Sequence, residues 1–287
     1  MIFPATFSIV AADPGAGEVG VAVQSKFLSV GAAVPWVAAD AGAIATQAWA
    51  NTTYGPRGLE LLRSGEPPER VVALLTGDDA DAAQRQLGVV APDGRSATFT
   101  GSACMEWAGG IAGSGFAVQG NILAGEAVVR SMAQTFAATR GALADRLVAA
   151  LAAGQRAGGD RRGQQSAALV IAKPAGGYGG FNDRYVDLRV DDHAAPIAEL
   201  ARLLELHKLY FFPAAPEDVL PIDDALGKEI AALLARAGDL PPGAPFDAAA
   251  RQALVTFMHR ENLEDRVRAD GTIDRQTLGY LRAAAAG

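Results

Sequence analysis

The feature that most constrains this fold is a pair of apolar runs at the start of the chain. Residues 6–12 and 19–25 are rich in β-branched and small apolar side chains, and the sequence DPGAG lies between them. Aspartate, proline and glycine supply the backbone angles of tight turns, whereas β-branched residues favour strands. The chain is therefore predicted to begin with a β-hairpin whose first strand starts at Thr6.

The patterns that follow exclude a parallel, doubly wound sheet. Further strands are predicted at residues 33–38, 43–47, 86–91, 96–100, 115–119, 166–172 and 185–190. Helical periodicity covers residues 57–63, 68–75, 126–137, 142–153 and 197–206. Because strands and helices come in blocks instead of alternating one by one, we expect antiparallel sheets flanked by helices, an α+β fold.

The composition changes near Phe212, where the sequence FFPAAP is typical of a connector. We place a boundary there, between a large domain of residues 1–212 and a small all-α domain of residues 213–287. The small domain has helical patterns at 222–237, 247–259 and 275–284, with Asp247 and Asp274 at N-cap positions. This order, with DGTID before the last helix, resembles the small peptidoglycan-binding-like module; glycan binding and a purely accessory role both stay open.

Charge and composition exclude several classes of function. The formal net charge is -7 and no block of lysine or arginine could follow a phosphate backbone, so no nucleic-acid partner is expected. No apolar run reaches the roughly 18 residues of a membrane span and no basic signal-peptide start is present, so a cytoplasmic protein without membrane contact is predicted. One cysteine, Cys104, and three histidines without metal spacing predict no intrachain disulfide and no metal site.

Thr6 is a candidate nucleophile because it opens the first strand. A threonine hydroxyl needs a base, and its own α-amino group, with a pKa of about 8, would serve if residues 1–5 were removed. Methionine removal alone would not expose that amine. Either the Ala5–Thr6 bond is cut autocatalytically, or the true start differs, or no free threonine amine exists. The plain alternative is that Thr6 only begins a strand.

Polar residues end two of the predicted strands. Ser25 and Lys26 end the second strand, where the lysine ammonium is expected to tune the nucleophile; a solvated surface charge is the alternative. Gln119 and Asn121 follow a later strand, where an amide is expected to help hold an oxyanion. The alternative for Asn121 is a helix cap.

A polar turn before the helix at 57–63 is a candidate substrate-binding segment. It holds Gln47, Asn51, Tyr54 and Arg57, which combine amide, phenol and guanidinium groups. An ordinary helix start with proline in its first turn explains the same residues equally well.

A second polar cluster lies directly before the strand at 166–172. Asp160 or Ser166 is expected to orient an amine, and Arg162 to clamp a substrate carboxylate with two hydrogen bonds. Gln165 is counted with the substrate-binding residues, and so is Ser25 at the end of the second strand. The alternative is a surface loop.

These segments together resemble the Ntn-hydrolase-like family catalogued as domain-of-unknown-function family 1028. The likeness rests on TFSIVAADPGAGEVGVAVQSKFLSVGAAVPW, ATQAWANTTYGPRGLELL, QGNILAG and GGDRRGQQSAAL, in that order over residues 6–210. It implies a four-layer αββα sandwich and amide-bond cleavage by an N-terminal threonine at the position of Thr6. By the same resemblance Lys26, Asn121, Asp160 and Ser166 fall near the nucleophile, without a one-to-one match to the proteasome-type set.

Two classes of function follow from these observations. The first is an Ntn-type amidohydrolase that cleaves a small amide or carbamoyl C–N bond without a cofactor. The second is a non-catalytic binding or scaffold protein that keeps the fold, with the C-terminal module contacting a partner or a glycan. A small-molecule amide is the expected substrate of the first, and a homodimer is a mild general expectation for a soluble enzyme.

Overall fold

The computed structural model describes residues 6–286 and divides into two units, one ending at Leu204 and the other beginning at Glu205. The division falls inside helix α5 (Pro196–Phe211), ahead of the proline-containing connector on which the predicted boundary rested. Residues 1–5 lie outside the described residues, and so does the predicted cleavage before Thr6. Within residues 6–286 no helix is both long and apolar enough to cross a membrane.

The large unit consists of two antiparallel sheets and the helices that cover them. Its strands are β1 (Thr6–Asp13), β2 (Glu18–Ser25), β3 (Pro35–Ala38), β4 (Gly42–Ala48), β5 (Arg85–Val90), β6 (Ser96–Thr100), β7 (Gly109–Gly113), β8 (Phe116–Asn121), β9 (Ser166–Ala172) and β10 (Arg184–Val190). Its helices are α1 (Tyr54–Arg63), α2 (Pro68–Gly77), α3 (Ala127–Ala138), α4 (Leu143–Arg156) and the first part of α5. The predicted N-terminal hairpin is confirmed as β1 and β2.

The hairpin occupies the middle of the first sheet. The strand order of this sheet is β10-β9-β2-β1-β8-β7, and the second sheet has the order β3-β4-β5-β6. Each neighbouring pair is antiparallel. Since β1 pairs with β2 on one side and β8 on the other, its first residue lies between two strand ends.

Side-chain alternation along the strands produces four layers. Phe7 and Ile9 of β1 belong to a core shared with α3 and α4, whereas Val10 packs with residues of the second sheet. The other face of the second sheet, including Ile44 and Leu87, packs against α1 and α2. The period-2 alternation of strands buries both faces of each sheet in this way. The predicted αββα sandwich is confirmed.

Strand β7 was not predicted, because its sequence GGIAG has little of the branched content that marks strands. The structure explains the glycines by close approach of the backbone. A Cβ atom built on Gly110 would lie 2.8 Å from the carbonyl oxygen of Val118 and 2.7 Å from Oγ1 of Thr98. Such contacts are shorter than side chains tolerate, so this strand needs small residues where its neighbours crowd it.

Between the end of α5 and residue 286, the C-terminal unit contains three α-helices, which were predicted, and a two-stranded ribbon, which was not. The helices are α6 (Asp224–Arg236), α7 (Ala248–Arg260) and α8 (Arg275–Ala284), and β11 (Val219–Pro221) pairs antiparallel with β12 (Thr272–Asp274). Both predicted caps are confirmed. The carboxylate of Asp247 accepts hydrogen bonds at the start of α7, and that of Asp274 accepts from the backbone N–H of Thr277 at the start of α8.

Candidate active site

A row of hydroxyl and amide side chains crosses four adjacent strands at one end of the first sheet. Thr6 pairs with Ser25 on one side and with Asn121 on the other, and Ser25 pairs with Ser166. All four residues are buried, and Thr6 Oγ1 donates a hydrogen bond to Ser25 Oγ at 3.1 Å. Val10, on the same face of β1 as Thr6, packs against the second sheet. The row therefore faces the space between the sheets.

Next to this row, buried amides join the two sheets. Ser8 Oγ donates to Gln47 Oε1 at 2.6 Å and accepts from Gln119 Nε2 at 2.6 Å. Gln86 Oε1 accepts from Gln47 Nε2 at 2.8 Å and from Asn121 Nδ2 at 3.0 Å. Each of these five residues is at most 2% exposed. Buried amides that are hydrogen-bonded in this way have fixed orientations, so the network fixes the side chain of Asn121.

The network gives Gln47 a different place from the one predicted. Gln47 was expected to contact substrate, but it lies inside the sandwich and joins the sheets. Ser8 and Gln86 were missed by the sequence reasoning. The sequence feature that could have identified them is a polar residue at a strand position where the alternation requires a core residue. Gln86, for example, lies on the same face of β5 as Val90, which packs between the sheets.

A cavity of about 120 Å³ opens at the same end of the sandwich. None of the described residues that line it is charged. The lining residues are Ala48, Trp49, Gln84, Ala103, Cys104, Met105, Asn121 and Ile122. Asn121 belongs both to this cavity and to the polar row, where it is the strand partner of Thr6.

Two residues of the cavity wall have strained backbones. Ala48 has φ 66° and Ile122 has φ 53°, and each directly follows a residue of the amide network. The left-handed conformation costs an L-residue about 1–2 kcal/mol and is rare for a β-branched side chain. Strain of this kind concentrates at functional sites. Its occurrence twice in one small cavity supports this end of the sandwich as the site.

The wall carrying Trp49 is held by a buried arginine. Arg85 Nη1 donates to the Trp49 carbonyl oxygen at 2.8 Å, and the Arg85 carbonyl oxygen accepts from Cys104 Sγ at 3.3 Å. Cys104 is half-buried, not fully buried, and burial raises the pKa of its thiol. A raised thiol pKa opposes a nucleophilic role for Cys104, because the thiolate is the reactive form.

Three predicted substrate-binding residues are bound to aspartates that follow α2. Asn51 Nδ2 and the Tyr54 hydroxyl donate to Asp79 Oδ2 at 2.9 and 2.8 Å, and Arg57 pairs with Asp78 at 3.1 Å. None of the three is among the described residues that line the cavity. These contacts connect the start of α1 to the residues that follow α2, as the helix-start alternative expects.

This connection also changes two pKa values. Hydrogen bonds from Arg85 hold the pKa of the Asp79 carboxyl well below its usual range, against the opposing effect of burial. Burial, together with the hydrogen bond to Asp79, raises the pKa of the Tyr54 phenol far above its usual value. Asp79 is therefore ionised and Tyr54 protonated throughout the physiological pH range.

Asp160 lies beyond the ends of β2 and β8, and its carboxylate accepts hydrogen bonds from neighbouring residues. Its carboxylate accepts from the backbone N–H of Lys26 at 3.0 Å, from the backbone N–H of Arg162 at 2.9 Å and from Arg162 Nη2 at 3.2 Å. Asp160 is buried, and its backbone forms a bridge with Leu123. The fork of Arg162 is thus directed at Asp160, which does not support the predicted clamp on a substrate carboxylate.

The remaining predicted residues around Asp160 are also engaged. Ser166 Oγ donates to the Phe27 carbonyl oxygen and accepts from the backbone N–H of Val30 at 3.1 Å. Gln165 Nε2 donates to Asp192 Oδ1 at 3.1 Å, away from the cavity lining. Both residues stabilise the loops that border the row, so neither contact supports a direct role on substrate.

Lys26 is exposed, as the surface-charge alternative states. Its Nζ donates to the Gln164 carbonyl oxygen at 3.3 Å. The residue comes directly after β2, so its side chain leaves the space between the sheets that Ser25 faces. Water screens an exposed ammonium, and this placement gives the tuning role no support.

The C-terminal unit has a separate groove of about 300 Å³. Its lining combines apolar side chains, among them Phe246 and Met258, with the arginines Arg251, Arg266 and Arg268. Arg251 lies over the Phe246 ring, with its guanidinium carbon 4.7 Å from the ring centroid. A volume of this size lies at the lower limit of ordinary ligand sites.

Comparisons with known proteins match both parts of the chain. Residues 6–200 match the family model described as "Family of unknown function (DUF1028)", and residues 210–281 match the one described as "Putative peptidoglycan binding domain". The crystal structure of protein SPO2555 from Silicibacter pomeroyi, assigned to DUF1028, has a TM-score of 0.66 at 33% sequence identity. The match covers 72% of this chain and 91% of that one. No curated protein matches.

Proposed function

Because the chain belongs to the DUF1028 family of unknown function, its activity has to be inferred from the site, and we propose an amidohydrolase of the N-terminal nucleophile type. Thr6 is the nucleophile in this proposal. The substrate is a small amide or carbamoyl compound whose C–N bond is hydrolysed without a cofactor. The predicted likeness of the C-terminal part to a peptidoglycan-binding domain is confirmed, but the role of that part is a proposal.

One observation carries the proposal: Thr6, the first described residue of a central strand, pairs with the cavity residue Asn121. The Thr6 hydroxyl is oriented, because it donates to Ser25 Oγ. A main-chain amine at the start of β1 would lie on the same residue as the hydroxyl that it activates, so no second side chain is needed as base. The strained residues Ala48 and Ile122 support the same location.

The reaction starts with release of the Thr6 amine. Hydrolysis of the Ala5–Thr6 peptide bond is required first, because a nitrogen in a peptide bond is not basic. The free amine then takes the Thr6 hydroxyl proton while Oγ1 forms a bond to the substrate carbonyl carbon. Breaking the C–N bond releases the amine product with that proton, and water hydrolyses the threonyl ester to return the free hydroxyl.

Asn121 is the proposed donor to the oxyanion that forms during attack. A carboxamide nitrogen carries two hydrogens, and one of these goes to Gln86 Oε1. The other would donate to the oxyanion, in a buried setting where such a bond is stronger than in water. Gln86 would act as a positioning residue, since it holds the amide of Asn121 in place.

Asp160 and Ser166 are proposed to shape the site without touching substrate. Asp160 anchors the chain after β2 by accepting from the backbone N–H of Lys26, and it holds Arg162. Ser166 anchors the following turn through Phe27 and Val30. Both contacts fix the end of β2, and therefore the Ser25 hydroxyl that orients Thr6.

The test is the intact mass and N-terminal sequence of three purified chains: wild type, Thr6→Ala and Thr6→Ser. We expect wild type and Thr6→Ser to begin at residue 6, because serine keeps the hydroxyl, and Thr6→Ala to keep residues 1–5. Amide hydrolysis should follow the same order, with Thr6→Ala inactive. An intact leader in all three chains would refute the terminal-amine mechanism.

A second candidate is a binding or scaffold protein that keeps the sandwich without catalysis. The observation in its favour is the internal engagement of the predicted polar residues, with Lys26 at the surface. The groove beside Arg251 and Phe246 would then supply the contact with a glycan or a partner. An uncleaved N-terminus in wild type, with no amide hydrolysis, would support this candidate.

A further inference from the structure

We propose that the cavity beside Asn121 binds an uncharged, largely apolar substituent of the amide substrate. This inference rests on the proposed function, which requires a substrate next to Thr6. It replaces the sequence-based expectation that Arg162 clamps a substrate carboxylate. The substrate class it names is a neutral carboxamide with one small aromatic or branched aliphatic group.

The chemistry of the lining supports a neutral group. Among the described lining residues, Trp49, Met105 and Ile122 supply apolar surface. Hydrogen-bonding groups come from the carboxamides of Gln84 and Asn121 and from the indole N–H of Trp49. A carboxylate or ammonium transferred into such a lining loses its hydration without gaining an ion pair. The lining side chains therefore supply no counter-ion for a substituent charge of either sign.

The charged residues around this wall are bound to one another. Arg85 follows Gln84 in sequence, but its guanidinium is bound by Asp79 and by the Trp49 carbonyl oxygen. Arg162 is bound by Asp160. Each arginine already has a carboxylate partner within the protein, so a substrate carboxylate has to displace that partner to gain an ion pair.

The volume limits the size of the group. The cavity measures about 120 Å³. An engineered apolar cavity of about 150 Å³ holds one benzene molecule, and sites for whole drug-sized ligands start at about 300 Å³. By this measure about five non-hydrogen atoms fit inside, so the cavity encloses a short branched chain or most of one ring, and the remainder of the substrate lies outside.

The polar residues of the lining would orient the bound substrate. Asn121 is the strand partner of Thr6, so its carboxamide borders both the cavity and the row that contains the nucleophile. With the apolar group beside Trp49, hydrogen bonds from Asn121 and Gln84 to the scissile amide would place its carbonyl on the Thr6 side.

The test uses three probes of matched shape and different charge: acetophenone, benzoate and benzamidine. Acetophenone keeps the aryl carbonyl of benzamide but has no C–N bond to hydrolyse, so binding is measured on the purified, unsubstituted protein without turnover. Isothermal titration calorimetry and ligand-observed NMR give the dissociation constants. We expect acetophenone to bind at least about tenfold more tightly than either charged probe.

Three variants locate the binding site. Ala103→Leu adds three methyl or methine carbons to the cavity wall, and we expect it to weaken acetophenone binding at least about tenfold. Ala80→Leu makes the same change at an exposed turn residue outside the lining and should leave binding unchanged. Ala103→Lys adds a cation at the wall and should invert the preference, so that benzoate becomes the better ligand. Circular dichroism of each variant reports its folding.

The outcomes for this cavity and for the proposed function are separable. Acetophenone binding that Ala103→Leu removes, in a chain without amide hydrolysis, would keep the cavity assignment and reject the enzyme. Hydrolysis of amides together with equal binding of all three probes would support the enzyme and reject the cavity assignment. Absence of acetophenone binding, or binding that Ala103→Leu leaves intact, overturns the inference.

Discussion

The buried pair of Arg85 and Asp79 allows a sharp test of how the cavity wall is held. Arg85 Nε lies 2.9 Å from Asp79 Oδ2, and the two side chains are only 8% and 11% exposed. Replacing Asp79 by asparagine keeps the shape but removes the charge. The same Oδ2 atom accepts from Asn51, Tyr54 and Arg85, so either the new amide nitrogen faces three donors or the amide turns and loses the other contacts.

The expected loss of stability is large. Removing one partner of a buried ion pair costs about 3–5 kcal/mol, because the other charge stays buried without compensation. Arg85 keeps its bond to the Trp49 carbonyl and a longer contact of 3.4 Å to Asp81, which is 63% exposed. Because these partners remain, we expect a loss of stability at the lower end of this range, about 3 kcal/mol. For a unit of this size that lowers the melting temperature by about 6–12 °C.

Tryptophan fluorescence measures this loss in the large unit alone, since Trp36, Trp49 and Trp107 all precede Leu204. Urea unfolding followed at this signal gives the free energy of unfolding for wild type and Asp79→Asn. The control is Asp81→Asn, the same substitution on the exposed partner of the same arginine, with an expected change within about 0.5 kcal/mol. Equal effects of the two variants, or a loss below about 1 kcal/mol for Asp79→Asn, would refute this account of the pair.

The remaining predictions concern acid stability and a strand junction. The pKa of Asp79 is lower in the folded chain than its ordinary value of 3.8, so the stability it contributes is present above that value and is lost as the pH falls below it. The free energy of unfolding should therefore fall from about pH 4 downward, less steeply in Asp79→Asn than in wild type; parallel pH profiles would contradict this. Gly42→Ala should destabilise the large unit by about 3 kcal/mol, because φ is 138° and the new Cβ would lie 2.2 Å from the Val90 carbonyl oxygen. Gly65→Ala, with φ 93° and open space, should cost only about 1 kcal/mol in the same urea titration, and similar costs at both positions would show that the contact is relieved.

The fold was predictable from the sequence to a large degree, because local patterns and tertiary packing agree over most of the chain. The hairpin of β1 and β2 has turn residues between two branched runs, and α8 follows a capping Asp274. β7 was missed because its glycines are required by the close approach of β6 and β8. A local sequence pattern does not reveal such tertiary crowding. β11 and β12 have only three residues each, too few for a periodic signal.

The site was predictable in part. The strand ends that carry Thr6, Ser25, Asn121 and Ser166 are brought into one row, because antiparallel pairing aligns residues distant in sequence. Which polar residues already have internal partners was not predictable. The sequence around Tyr54 does not indicate that its hydroxyl donates a hydrogen bond to Asp79, which follows α2.

The row through Thr6 also has a consequence for the order of events as the chain matures. Ser25 follows Thr6 closely along the chain. Asn121 and Ser166, in contrast, can join the row only after most of the large unit has been synthesised. The surroundings of the Thr6 hydroxyl are therefore incomplete until the long-range strands β8 and β9 have joined the hairpin, which is a late step when distant contacts limit folding. Cleavage before Thr6, if it depends on these surroundings, would occur only in chains that have finished folding. The mass of the mature protein would then record successful assembly of its central sheet.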